Sequence, residues 1–257
     1  IGGIKRIGSV TEKLVPFMSV FYILFTLIVI VSHIGNLGNV FKLIFTSAFT
    51  PKAVFGASTG IVLKETIVWG LRRSAFSNEA GLGSAAIAHA AAETDGPVQQ
   101  GLFGIFEVFM DTLVICTMTA LTIICSGVDI GFGTKPGSEL ITAALATVFG
   151  PKFASLFVAL ALMLFAFSTV LGWSLYGTRC IQYLFGIKAI RIYQVIFIAV
   201  IVVGCVSPID VVWDIADTFN GLLAIPNFIG VLALSGVVAK LTKSYFFGPN
   251  APANRKK

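Results

Sequence analysis

Charged side chains are scarce in this sequence. They make up 12% of its 257 residues, whereas a soluble globular domain carries about 25%. Hydrophobic residues reach 56% of the chain. This composition excludes a soluble domain and predicts an integral membrane protein with the lipid bilayer as its surroundings. The net charge of +6 would suggest a nucleic-acid partner only in a soluble protein, so we expect no nucleic acid here.

Residues that form disulfides or bind metals are also few. The four cysteines lie in apolar stretches without paired spacing, which is typical of small buried side chains rather than disulfides or metal ligands. There are two histidines, and a catalytic metal usually takes three protein ligands. We therefore expect a protein that is not an enzyme and has no bound cofactor. The cysteines are Cys116, Cys125, Cys180 and Cys205.

Six apolar stretches are each long enough to cross a hydrocarbon core of ~30 Å, which takes about 20 residues of helix. The sequence thus predicts an all-α membrane protein whose transmembrane domain covers residues 1–247, followed by a tail over residues 248–257. The predicted spans are residues 14–37, 52–71, 98–125, 152–185, 189–206 and 211–239.

Lysine and arginine are distributed unevenly between the two sides of these spans. If the N-terminus is cytoplasmic, only Lys42, Lys52, Lys135 and Lys152 fall outside and nearly all other basic residues fall inside. Arg72 and Arg73 are counted among the inside residues. Because cytoplasmic loops carry the excess of basic residues, both ends of the chain are predicted to be cytoplasmic, in the cell membrane.

The second predicted span contains glycine and hydroxyl residues where a regular helix would prefer Ala or Leu. Irregular backbone at membrane depth requires a buried cavity or site, and secondary transporters bind substrate at such breaks. A glycine-rich kink that allows close helix packing is the alternative. The predicted substrate-binding residues are Phe55, Gly56, Ser58, Thr59 and Gly60.

The third span carries a polar stripe at spacings of three to five residues, close to one helix face. Its two carboxylates, Glu107 and Asp111, are i, i+4 neighbours. Such a pair either shares a proton or a cation, or each carboxylate bonds to Arg72, Arg73 or nearby backbone, which is the favoured interpretation. The stripe consists of Gln100, Gly104, Glu107, Asp111, Cys116, Thr119 and Thr122.

Between the second and third spans, residues 76–93 are rich in glycine, alanine and serine. Small side chains let neighbouring backbones approach closely. We therefore predict a cytoplasmic connection packed against the helix bundle, with a helix from about Ser84 to Glu93. Arg73, Asn78 and Glu79 are predicted to be structural or gating residues, and Glu79 is close enough in sequence to pair with an arginine.

Several long runs resemble the alanine/glycine:cation symporter family. The longest is RRSAFSNEAGLGSAAIAHAAA, at residues 72–92, and FSTVLGWS and NGLLAIPN follow at residues 167–174 and 220–227. The sequence departs from the family pattern at Ser74, Ala86 and Thr178, where Gly, Pro and Glu are expected.

This resemblance implies sodium-coupled symport of small neutral amino acids, alanine or glycine, by alternating access. It implies a leucine-transporter-like (APC-type) inverted-repeat bundle, in which the first span ends repeat one and the other five form repeat two. The chain would then be the C-terminal half, with an N-terminal half as its partner. The implied sodium ligands are the Ser168 and Thr169 hydroxyls and the Phe165 carbonyl, and Trp173 is the implied substrate contact.

Two other functions are alternatives. A membrane-embedded enzyme could use His89 and Glu93 as i, i+4 metal ligands, or His89 with Asn78 and Glu79 as an acid–base set. The other alternative is a membrane subunit that transports nothing. Proton coupling is an alternative to sodium coupling, and D-amino acids are alternative substrates.

Overall fold

The structure, a computed structural model, describes residues 3–49, 59–130 and 137–248, and every regular element in them is helical. The prediction of an all-α protein is confirmed for these residues. A 3₁₀ turn, Ile34–Asn36, precedes α2, and a π-helical segment, Phe109–Ile115, joins α5 to α6. The helices are α1 Gly3–Ser32, α2 Leu37–Phe49, α3 Thr59–Asn78, α4 Ala85–His89, α5 Pro97–Val108, α6 Cys116–Cys125, α7 Glu139–Phe149, α8 Pro151–Phe185, α9 Ala189–Val206 and α10 Ile209–Phe247.

Five helical segments of the described chain are long and apolar enough to cross a membrane. The predicted fifth span has the same bounds as α9. The predicted second span begins outside the described residues, and α3 continues past its predicted end to Asn78. The five segments are Gly8–Ser32, Pro97–Cys125, Pro151–Phe185, Ala189–Val206 and Ile209–Phe247.

The chain divides into two compact units, of which the first comprises residues 1–68 and 112–175. Its core joins Val29 of α1, Leu145 of α7 and Val158 of α8, all of them buried. The Phe25 ring packs beside this core, 4.5 Å from the ring centroid of Phe157. Such packing holds membrane helices together because lipid tails are as apolar as leucine.

Hydrogen bonds in the first unit also tie α1 to α6. Tyr22 and Thr119 share a hydrogen bond of 2.7 Å between their hydroxyls. The Thr122 hydroxyl lies 3.4 Å from the Thr26 carbonyl and is fully buried. Thr119 and Thr122 of the polar stripe therefore both face α1.

The second unit comprises residues 69–111 and 176–257. It contains the end of α3, all of α4 and α5, the end of α8, and α9 and α10. The longest helix is α10, with 39 residues, or about 58 Å at 1.5 Å per residue.

Candidate functional site

The helix that begins with α3 is interrupted between Asn78 and Ala85. Three of the intervening residues have positive φ: Glu79 at 55°, Gly81 at 90° and Gly83 at 83°. Glycine adopts this conformation readily, but for other L-residues it costs about 1–2 kcal/mol. Glu79 is the only described non-glycine residue with positive φ. A right-handed helix cannot continue through such residues, so the chain changes direction here.

Two backbone N–H groups of the interruption find acceptors within it. The Ala80 N–H donates to the Asn78 side-chain oxygen at 2.9 Å, and the Leu82 N–H donates to the Glu79 carbonyl at 3.1 Å. Leu82 and Ser84 are buried, with 5% and 7% of their surface exposed. The predicted tight packing of residues 76–93 is therefore confirmed only around Leu82 and Ser84. Residues 90–93 are exposed, and the helix predicted to reach Glu93 ends at His89.

The interruption lies beside the middle of α10. A Cβ placed on Gly83 would lie 2.9 Å from the Asn227 side-chain oxygen, and one on Gly81 would lie 3.7 Å from the Phe228 ring. The stretch of α10 between Asp217 and Lys240 is uncharged. It spans ~33 Å of helix, close to the thickness of a hydrocarbon core. Asn227 and Phe228 are at its midpoint.

An ion pair fixes the end of α3 at one end of that uncharged run. The Arg73 guanidinium donates to the Asp217 carboxylate at 2.6 Å. It also lies over the Trp213 ring, 4.1 Å from the ring centroid, and 5.4 Å from that of Trp69. Cation–π contact adds to the charge pairing. Arg73 is thus the partner of Asp217, a carboxylate within a helix of membrane-spanning length.

At the other end of the run, the start of α5 and the end of α10 line one cavity, which includes Pro97, Gly101 and Phe246. Residues 73–97 therefore pass from one end of the uncharged run to the other. The predicted location of residues 76–93 at the cytoplasmic surface is wrong for Gly81 and Gly83, because these residues lie at mid-run. Arg73 also cannot mark the same membrane surface as Lys240, since ~34 Å of helix separates Asp217 from Lys240.

The Glu79 carboxylate is held by hydroxyl groups. The Ser84 hydroxyl donates to it at 2.6 Å, and the Tyr176 hydroxyl forms a further hydrogen bond with it. The predicted pairing of Glu79 with an arginine does not occur in the described residues. Residues 73 and 79 point about 120° apart around a helix axis, and the positive φ at Glu79 turns the chain further away.

His89, at the end of α4, docks on the polar face of α5. Its Nδ1 lies 2.6 Å from the Gln100 amide nitrogen, and its Nε2 lies 3.7 Å from a Glu107 oxygen. Gly104 leaves room for the ring: a Cβ there would lie 3.6 Å from Nε2. With Gln100 donating to Nδ1, the ring proton is on Nε2 and directed at Glu107. Gln100, Gly104 and Glu107 of the polar stripe therefore all lie beside the His89 ring.

Glu107 and Asp111 each have their own partner. The Asp111 carboxylate accepts a hydrogen bond of 2.7 Å from the Ser77 hydroxyl, while Glu107 lies near His89. Separate partners for the two carboxylates were predicted, but the proposed arginine partners were wrong. Arg73 forms its ion pair with Asp217 instead. The π-helical segment that begins at Phe109 also changes the helical register between Glu107 and Asp111.

The metal-binding alternative fails on helix geometry. The helix α4 ends at His89, with Ala90 as its C-cap, so Glu93 lies beyond the helix and the i, i+4 relation is lost. Within residues 3–49, 59–130 and 137–248 no group of three or more His, Cys, Asp or Glu side chains could hold a metal ion.

The residues predicted to bind sodium lie together on α8, in the first unit. The Ser168 and Thr169 hydroxyls both donate to the Phe165 carbonyl, at 2.8 and 2.9 Å. Helix hydroxyls commonly bond back in this way, and here it gathers three oxygens. Trp173 is part-buried one turn further along α8.

Of the residues predicted to bind substrate in the second span, residues 55–60, the structure describes only the last two. Phe55, Gly56 and Ser58 lie outside the described residues. Thr59 and Gly60 are the first two residues of α3.

Sequence reasoning missed three contributors to the interruption: Ser77, Ser84 and Tyr176. It located the helix break at residues 55–60 and treated residues 76–93 as a packed surface connection because of their small side chains. The informative signal was Gly81 and Gly83, which alternate with larger residues directly after the polar pair Asn78 and Glu79. That pattern suits a chain that turns repeatedly through positive φ.

Apolar helices of membrane-spanning length and an irregular, internally bonded segment beside the middle of one of them define a multi-pass α-helical membrane protein of the transporter class. The chain belongs to the sodium:alanine symporter family, whose model matches residues 1–255. The family resemblance noted in the sequence is thereby confirmed.

Three curated relatives illustrate the range of this family. The chain is 46% identical to the sodium/alanine symporter AgcS of Methanococcus maripaludis, over 95% of the chain and 53% of the relative. It is 41% identical to the "Probable sodium/glutamine symporter GlnT" of Bacillus subtilis, over 95% and 50%. It is 33% identical to the sodium/proton-dependent alanine carrier protein of Bacillus sp. strain PS3, over 95% and 58%. The chain spans about half the length of these relatives.

Proposed function

We propose that the intact protein imports small neutral amino acids, alanine or glycine, together with sodium by alternating access. The observation that carries this proposal is the interruption at residues 79–84 beside the middle of α10. Discontinuous helices at the bilayer midplane are where secondary transporters bind substrate and ion. The names of the relatives include sodium with alanine or glutamine, which supports the class of substrate and the ion.

The interruption offers backbone groups to a small zwitterion. The Gly81 and Gly83 N–H groups donate to no acceptor within the described residues, and the absence of a side chain lets a carboxylate approach them. Polar groups at this depth are costly unless they are paired. Substrate oxygens would supply that pairing. Trp173, on α8 in the first unit, remains a predicted substrate contact in its own right.

The test of the proposed function is uptake by proteoliposomes that contain the intact protein. We expect an inward sodium gradient to drive accumulation of radiolabelled alanine, with glycine as a competitor. Accumulation driven by a proton gradient but not by a sodium gradient would contradict sodium as the coupling ion. Vesicles that accumulate no neutral amino acid under either gradient would overturn the function.

We also propose the leucine-transporter-like inverted-repeat bundle, with α1 closing repeat one and the later spans forming repeat two. The interrupted helix supports this architecture, because such helices are characteristic of inverted-repeat transporters. Both ends of the chain are proposed to be cytoplasmic, since Lys240 and Lys243 mark the end of α10. In this proposal Arg73, which contacts Asp217, and its neighbour Arg72 lie toward the opposite surface, and the remaining basic residues still favour the orientation.

Replacing Ser168 and Thr169 together by alanine should weaken sodium binding. Sodium prefers oxygen ligands, and the double change removes two of the three oxygens that lie together. We expect the sodium concentration for half-maximal alanine uptake to rise at least tenfold, with little change in the yield of folded protein. Ser235→Ala is the matched control, because the Ser235 hydroxyl also bonds back to its own helix. An unchanged sodium dependence would show that Ser168 and Thr169 of α8 do not bind the sodium ion.

Gly60→Val tests the separate prediction that residues 55–60 bind substrate: alanine uptake should be lost and membrane insertion left intact. Gly60 is at the start of α3, ~30 Å of helix from Ala80, so a substrate bound only at the interruption would be unaffected by this change. A β-branched side chain at this position prevents the close backbone approach that a small substrate requires. Uptake is measured against the amount of protein inserted in the membrane. Normal transport by this variant would show that residues 55–60 serve helix packing alone.

A further inference from the structure

A polar cavity of about 340 Å³ lies between the end of α3 and the first half of α10. Its lining consists of one basic, two acidic and one hydroxyl side chain: Arg72, Asp214, Asp217 and Thr218. It is distinct from the interruption, because Asp214 precedes Asn227 by 13 residues of α10, about 20 Å of helix.

Among the charged residues that line this cavity, only Asp217 forms an ion pair in the described structure. Asp217 is bound by Arg73 at 2.6 Å. Arg72 and Asp214 line the same cavity, yet among the described residues neither forms an ion pair. The Thr218 hydroxyl donates to the backbone carbonyl of Asp214 at 2.7 Å. It therefore does not bond to the Asp214 carboxylate. One guanidinium and one carboxylate thus remain to interact with a ligand.

Opposite charges on the two walls of one small cavity match the two ends of a zwitterion. A guanidinium binds a carboxylate through two parallel hydrogen bonds, and a carboxylate accepts hydrogen bonds from an ammonium group. Arg73 neutralises Asp217, and the formal charges of the remaining ionic lining residues, Arg72 and Asp214, cancel. The cavity therefore favours a neutral zwitterion over a free anion or cation. Its volume is at the lower end of the range for ligand pockets, about 300–1,000 Å³.

We propose that this cavity is a second binding site for a small zwitterionic α-amino acid, with the carboxylate on Arg72 and the ammonium group on Asp214. The inference rests on the proposed function for the identity of the substrate. Asp214 precedes Lys240 by 26 residues, or about 39 Å of helix, so the cavity lies at the membrane surface opposite the Lys240 end. An amino acid arriving from that surface reaches the cavity before it reaches the interruption.

The walls of the cavity are held by contacts that do not involve the proposed ligand groups. Arg73 bridges α3 to α10 through Asp217 and lies over Trp213. Arg72 is 6.0 Å from the Trp69 ring centroid, on the same helix. Replacing Arg72 or Asp214 therefore removes a ligand group and leaves the Arg73–Asp217 bridge in place.

The first test counts alanine molecules bound to the intact, purified protein at equilibrium. We expect two per protein, and one after Asp214→Asn or Arg72→Gln. Asp210→Asn, the same change one turn earlier on α10, should still bind two. A protein that transports alanine, but whose bound alanine is unchanged by both variants, would overturn the second site and leave the proposed function standing. Wild-type protein that binds and transports no alanine would overturn both.

A second test does not depend on removing a charge. Thr218→Cys places a thiol in the lining, and we expect alanine to slow its reaction with a membrane-impermeant thiol reagent at least fivefold. Propionate and ethylamine, each with only one of the two charged groups, should not protect it. Alanine protection should also disappear when Asp214→Asn is combined with Thr218→Cys. Equal labelling with and without alanine would overturn the site.

Discussion

Replacing Gly83 by alanine should reduce alanine uptake by the intact protein at least a hundredfold. Gly83 has a φ of 83°, which an alanine adopts only at a cost of about 1–2 kcal/mol. The added Cβ would also lie 2.9 Å from the Asn227 side-chain oxygen and 3.2 Å from the Asn227 Cβ. Both effects push the interruption away from the middle of α10. Initial uptake rates, normalised to folded protein, measure the result.

Two other glycines separate the causes of this loss. Gly81→Ala meets the same backbone strain, at a φ of 90°, but its Cβ would be 3.7 Å from the Phe228 ring, an ordinary contact. We expect a smaller loss there. Gly221→Ala, within α10, meets no atom within 4 Å and should transport normally. Gly83→Ala with normal uptake would show that the close approach to Asn227 is not needed.

Asp217→Ala should lower the stability of the protein by about 3 kcal/mol. Breaking one side of a buried ion pair costs about 3–5 kcal/mol, because the remaining charge is left without a partner. The side chains of Arg73 and Asp217 are 34% and 19% exposed, which favours the lower end. The Arg73 Nε is buried and has no hydrogen-bond partner in the described structure, so Asp217 provides its main compensation. Thermal unfolding in detergent measures the loss.

The double variant separates the charge pair from its surroundings. Arg73→Ala with Asp217→Ala removes both charges, and we expect it to be more stable than Asp217→Ala alone. Asp210→Ala is the matched control, since it removes an aspartate from the first turn of the same helix. If the two single losses simply add, the contact between Arg73 and Asp217 does not contribute to stability.

The amino-acid sequence by itself determined the class of structure. Backbone groups within lipid must bond inside their own segment, so long apolar runs in a nearly uncharged chain predict helices directly. The span over residues 189–206 has the same bounds as α9 for this reason. Periodicity also placed Gln100, Gly104 and Glu107 on one face, since a regular helix fixes which of its residues are neighbours. The runs at residues 72–92, 167–174 and 220–227 indicated the family.

Only the tertiary structure decided which polar residues meet. Arg73 and Asp217 are 144 residues apart in sequence, and no local pattern favours that pair over Arg73 with Glu79. The composition of residues 76–93 suits a tight surface connection as well as an interruption within the membrane. Their depth follows from their neighbours, Asn227 and Phe228 at the midpoint of α10. Small residues and positive φ are local properties, but burial is a property of what packs against them.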